Sequence, residues 1–187
     1  MHRTSGLIVL LAALVTAECM GVWVLALHPL YTDQDTTFEP SLLGVWAQKG
    51  GATWTFRKAT AGHYDLETTH NNSPAEFEAR LVRLANYLFL DVSPGQIGLQ
   101  NLFYITHLIP GHSIARIWIK GDVVLLALVD TDWLKEELSR GEVTISNLRL
   151  HDHVILTADT KALQEFAIAY ADDPNAFPIT VALTRRR

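Results

Sequence analysis

Histidine offers the most obvious chemistry in this chain. His107 and His112 bracket Leu108-Ile109-Pro110-Gly111. Zinc proteases carry two His four apart on a helix with a Glu between them. Here the spacing is five, no Glu intervenes, and Pro and Gly break any helix. The two rings can still meet across a turn, because a Pro-Gly pair reverses the chain. They would then serve as metal ligands, or as ring nitrogens satisfying backbone groups in a structured loop. His151 and His153 are two apart and on a strand would share one face, where zinc or copper accepts imidazole. A third ligand such as Asp130 or Asp132 would have to arrive by folding. The alternative is a pair of exposed polar positions at a strand end.

Other chemistry is thinner. Asp130-Thr131-Asp132 resembles the Asp-x-Asp that holds nucleotide-sugar metals, but helix capping explains it as well. Glu76 and Glu78 alternate with apolar residues as a solvated strand face does. No nucleophile elbow, P-loop or dinucleotide fingerprint is present, so no catalytic motif supports an enzyme and no cofactor is implied. Aromatic residues favour binding instead. Trp46, Trp54, Phe56 and Tyr64 fall on successive expected strands, where they would line a pocket for an apolar ligand or fill a core.

The elements that must position these residues begin with a hydrophobic run from Gly6 to Leu27. As a helix its roughly 22 residues reach about 33 Å, enough to cross a bilayer. Arg3 before it and Asp33 and Asp35 after it keep the amino terminus inside and send the rest out. Glu18 costs on the order of 3 kcal/mol in mid-membrane, which about eleven Leu, Ile and Val residues more than offset. Three fates fit: a retained signal anchor, a signal peptide cut after Val15-Thr16-Ala17, or lipid attachment at Cys19. Glu18 stands where a lipoprotein signal needs a small residue. All three fates export the remainder of the chain; the alternative is a buried core helix of a cytosolic protein.

Residues 29–40 read as a polar tether and the fold is expected from Ser41 onward, giving 1–28 as anchor or signal and 41–187 as one extracytoplasmic domain. A net charge of −5 gives no electrostatic footprint for nucleic acid, and a single cysteine rules out an intramolecular disulfide. Trp54–Arg57, Tyr64–Thr68 and Phe77–Leu81 alternate as half-buried strands, and Tyr87–Val92 reads as a more fully buried strand. Ile114–Ile119 and Val123–Leu128 flank Lys120-Gly121-Asp122, a hairpin signal. Helices are expected over Asp132–Ser139 and Thr160–Ala171, capped by Asp130 or Thr131 and by Asp159, with a last strand at Ile179–Leu183. The expected class is α+β: an N-terminal transmembrane or signal helix, then a mostly antiparallel sheet or partial barrel with two short helices.

Two resemblances add to this. Gly44-Val45-Trp46 resembles the Gly-x-Trp entry motif of lipocalins, which implies an eight-stranded barrel with Trp46 closing one end and an apolar cavity inside. Over most of its length the chain is similar to a group of uncharacterised bacterial lipoprotein-like envelope proteins. That similarity rests on His28-Pro29-Leu30-Tyr31, Leu42–Trp46, Ala75–Asp91, His107–His112 and Ile155-Leu156-Thr157. It implies an envelope location and no activity.

The expectation is therefore a single-pass protein of the cell envelope, held in the lipid bilayer through residues 6–27. Its outer domain would bind a small apolar ligand or another envelope protein without catalysis. The alternative is a metal-dependent hydrolase using His107, His112, His151 and His153.

Overall fold

Alternation of apolar and polar residues gives each strand one face to bury, and the computed structural model shows where that face goes. The structure describes residues 24–95 and 108–186. Its strands are β1 (Leu25–Ala26), β2 (Thr36–Thr37), β3 (Gly44–Gln48), β4 (Thr53–Lys58), β5 (Tyr64–His70), β6 (Ser73–Leu84) and β7 (Tyr87–Pro94). They continue as β8 (His112–Lys120), β9 (Val123–Leu128), β10 (Asn147–Leu150), β11 (His153–Leu156) and β12 (Ile179–Arg185). Helix α1 (Thr131–Arg140) comes after β9, and α2 (Thr160–Tyr170) comes after β11.

From β3 to β9 each strand pairs antiparallel with the next, and β12 returns to lie antiparallel between β9 and β3. The ring is a closed eight-stranded antiparallel barrel. This corrects the expected α+β class and partial barrel, since 48% of the described residues are strand and only two short helices join them. The reason is β12: pairing on both edges, it removes the open edge a partial barrel would keep.

The expected N-terminal helix falls mainly on residues 1–23, outside the described residues. Among the described residues no helix is long and apolar enough to cross a membrane. The end of the apolar run, expected to lie in the bilayer, is instead part of the sheet. Leu25 and Ala26 pair in parallel with Ile155 and Leu156, and antiparallel with Ser113 and His112. Residues 29–40, expected as a tether, lie against the barrel: Leu30 is fully buried and β2 pairs with β6. Their polar composition concealed Leu30 and Phe38, which find apolar partners, the latter stacked on Tyr64 at 4.9 Å between ring centroids.

Two cores result. Inward positions such as Trp46, Phe56, Leu66, Leu90 and Leu126 fill the barrel. Neighbouring outward positions on one wall, Val82, Phe89, Ile114 and Ala127, pack under α1, α2, β1 and β11. That second layer explains why Tyr87–Leu90 is apolar on both faces. Asp130 Oδ1 accepts from the Trp133 N–H at 2.7 Å and Asp159 Oδ1 from Ala162 N–H at 2.8 Å, capping the helices as their sequences foretell. Gly141 ends α1 in the left-handed region at φ 77°. Arg116 ties α2 to the wall: it lies between the Tyr87 and Trp118 rings, donates to the Ala171 carbonyl and pairs with Asp172 at 2.9 Å.

Candidate functional site

One end of the barrel is built around Trp46, which is fully buried. A short 3-10 turn, Pro40–Leu42, leads into β3, and the Trp46 indole N–H donates to the Leu42 carbonyl at 2.8 Å. The Arg185 guanidinium covers the Trp46 ring at 4.2 Å and donates to the Leu43 carbonyl at 2.9 Å and to the Ser41 carbonyl. Gly44 sits at φ 120°, and a Cβ there would come 3.0 Å from Arg185. Only glycine fits both demands. One end of the barrel is therefore latched by an arginine from the last strand.

Behind that latch, Trp46, Phe56 and Tyr64 are fully buried and Trp54 nearly so. Phe56 meets Tyr64 edge-on at 6.0 Å, and Trp54 stacks with Phe56 at 6.4 Å. A void of about 10 Å³ lies beside Trp54, Leu90, Ser113 and Leu126. That is room for one water at most. The Gly44–Trp46 resemblance implied an apolar cavity; the side chains themselves occupy that space. Tyr64 also reaches out of the core. Its hydroxyl donates to the Glu39 carbonyl at 3.1 Å and accepts from the Glu39 N–H at 2.7 Å, and burial pushes its pKa up to about 12.

The chemistry-bearing side chains form a belt on the outer wall across β6, β7 and β8. Asp91, at 2% exposure, is the buried charged residue of the described chain. Its Oδ1 lies 2.7 Å from His112 Nδ1, and its Oδ2 accepts the Leu30 N–H at 2.8 Å. Arg80 stands opposite Asp91 in the ladder, covers the Tyr31 ring at 4.9 Å and pairs with Glu78. His63 Nε2 approaches Glu78 at 3.9 Å, while its buried Nδ1 has no hydrogen-bond partner among the described residues. Burial raises the Tyr31 hydroxyl, with Arg80 opposing and Asp91 and Glu78 reinforcing the shift. Asp91, His63 and Arg80 escaped sequence reasoning. The available signal was an aspartate inside the otherwise apolar Tyr87–Val92.

The expected metal ligands that the structure describes, His112, His151 and His153, do not converge. His107 and Cys19 lie outside the described residues. His112 is committed to Asp91. His151 is in the β10–β11 turn at φ 53°. His153 is two strands away from His112, and its offset from Leu156 puts it on the opposite face. Among the described residues no three His, Cys, Asp or Glu side chains gather to hold a metal ion. Asp130 and Asp132 border an open cleft of about 680 Å³ beside α1, with Trp133, Tyr170 and Asp173. The carboxylates there serve local structure: Asp130 caps α1, Glu136 and Glu137 pair with Arg140, and Asp173 accepts from Asn175 N–H at 2.8 Å.

The remaining feature is the way the chain enters. Leu27 N–H donates to the Leu156 carbonyl at 2.9 Å, Thr160 Oγ1 to the Pro29 carbonyl at 2.8 Å, and Gln164 Nε2 to the Leu30 carbonyl at 2.9 Å. With the Asp91–Leu30 bond, these hold residues 27–30 to both the barrel and α2. The chain matches no protein-family model, no curated protein and no solved structure.

Proposed function

We propose that this protein is a membrane-anchored, extracytoplasmic binding or assembly domain of the cell envelope, acting without catalysis. The observation that carries the reading is the occupied barrel interior, which leaves recognition to the outer surface. The apolar run supports the address, now as residues 6–23, because Val24 is already buried in the domain. A retained anchor fits the clamped entry of residues 27–30 better than a cut that would leave a short apolar stub. The engagement of His112 by Asp91 favours a structural role for that pair over a hydrolytic one.

The test has two arms. Alkaline phosphatase fused after Arg187, which is active only outside the cytoplasm, should be active and should stay with the membrane pellet after alkaline carbonate washing. A soluble, inactive fusion in the cytosol overturns the address. In the second arm, anilinonaphthalene is titrated into the full chain in detergent. Saturable uptake that competes with fatty acid would restore an internal ligand site and overturn the surface-binding reading.

A further inference from the structure

Three strands outside the barrel carry a face that folding does not need. In β1, β11 and β10, Ala26, Val154 and Leu156 point into the outer core and account for what these strands bury. Their other face should then be polar, as in any sheet with one side in water. Instead the ladder sets Leu25 beside Ile155 and Ile155 beside Leu148, with Leu150 beside His153 in the next row. Leu148 is 48% exposed, Leu150 45% and Leu25 38%. Among the described residues these strands place no carboxylate on that face. Gly111 packs on Leu25, where an added Cβ would come within 3.4 Å, and Ile109 just before it is 75% exposed.

The position of the chain outside the structure indicates what covers this face. The apolar residues 6–23 lead into Val24, and the next residue, Leu25, lies in the exposed face itself. No slack separates the two, because residues 24–30 are held by the β1 ladder and the Asp91, Thr160 and Gln164 hydrogen bonds. An anchor that leaves the bilayer here brings the face to the lipid within about one residue, or ~3.8 Å of chain. We infer that the β1–β11–β10 face, through Leu25, Leu148, Leu150 and Ile155, rests on the outer surface of the bilayer, so that the domain is mounted in a fixed orientation. This rests on the anchored reading above. Leucine and isoleucine on strands that place no carboxylate on this face suit the boundary between headgroups and acyl chains.

The experiment uses the full chain carrying Cys19→Ser, with single cysteines introduced as Leu148→Cys, Leu150→Cys, Thr55→Cys on the far barrel wall, and Leu11→Cys in the apolar run. Each is labelled with an environment-sensitive fluorophore and reconstituted into phosphatidylcholine vesicles containing nitroxide-labelled lipid. Matching far-UV circular dichroism qualifies each variant. Labels at 148 and 150 should be quenched severalfold more than the label at 55, and the label at 11 most of all. Quenching at 11 with 148 and 150 no different from 55 overturns the docked face and leaves the anchor standing. Absence of quenching at 11 overturns the anchor and the docked face together. Protection at 148 and 150 that needs no nitroxide lipid and grows with the protein-to-lipid ratio assigns the face to a second copy of the chain, and overturns the inference.

Discussion

Tyr64 joins core packing to polar wiring in one side chain. Its ring fills the barrel, while its hydroxyl exchanges two hydrogen bonds with the Glu39 backbone and fixes the chain that leads into β3. Removing the hydroxyl leaves the Glu39 N–H without its partner, so Tyr64→Phe should cost about 1–2 kcal/mol, read from urea midpoints at neutral pH. Burial raises this phenol from 10.0 to about 12 in the folded protein. The unfolded chain sheds the proton first, so the folded state binds more protons through that window and stability falls as pH rises. The contribution is intact below pH 10.0 and is lost as pH climbs through about 12. Tyr64→Phe should flatten that alkaline decline, and an unchanged slope would show that another group governs it.

At the scale of elements, β1 is too short to hold itself. Its two residues keep their place because Asp91 reaches across from β7 to the Leu30 N–H and His112. Asp91→Ala would strand both of those groups in a buried site, at a cost of about 3 kcal/mol. The damage should be local first: amide exchange at Leu30 and Leu27 should rise by more than at Leu90, which lies in the barrel. Uniform acceleration would mean that the clamp and the barrel unfold as one unit. The helices obey simpler rules. Asp159→Ala should destabilise the protein by about 1 kcal/mol through loss of the α2 cap, measured by thermal unfolding.

The molecule as a whole depends on one long-range closure. Arg185 pairs with Trp46 in the β12–β3 ladder and lies over its ring, joining the two ends of the described barrel sequence. Arg185→Lys keeps a charge but not the planar fork that reaches two carbonyls and stacks on the indole, so it should still lose about 2 kcal/mol. Because that pairing must wait for nearly all the intervening chain, refolding should fall in the roughly millisecond-to-second range of all-β domains. The filled interior leads to a further expectation. Phe56→Ala should cost about 3–5 kcal/mol, since the closed wall limits collapse around the missing ring.

Much of this was legible along the chain. Alternation marks β4 and β5, Gly121 marks the β8–β9 hairpin, and Asp130 and Asp159 mark the helix starts, because each depends on residues within a few positions of one another. The aromatic set was legible as well, as either pocket or core. Folding chose core by setting Trp54, Phe56 and Tyr64 against one another and against opposing strands. What could not be read were the facts that need two distant segments in register: β12 closing on β3, Leu25 laddered to Ile155, Asp91 beneath Leu30. Local pattern determines which face of a strand seeks burial; which partner buries it is decided only when the whole sheet competes for edges. For that reason the same apolar run that reads as an anchor ends inside the domain it was expected only to carry.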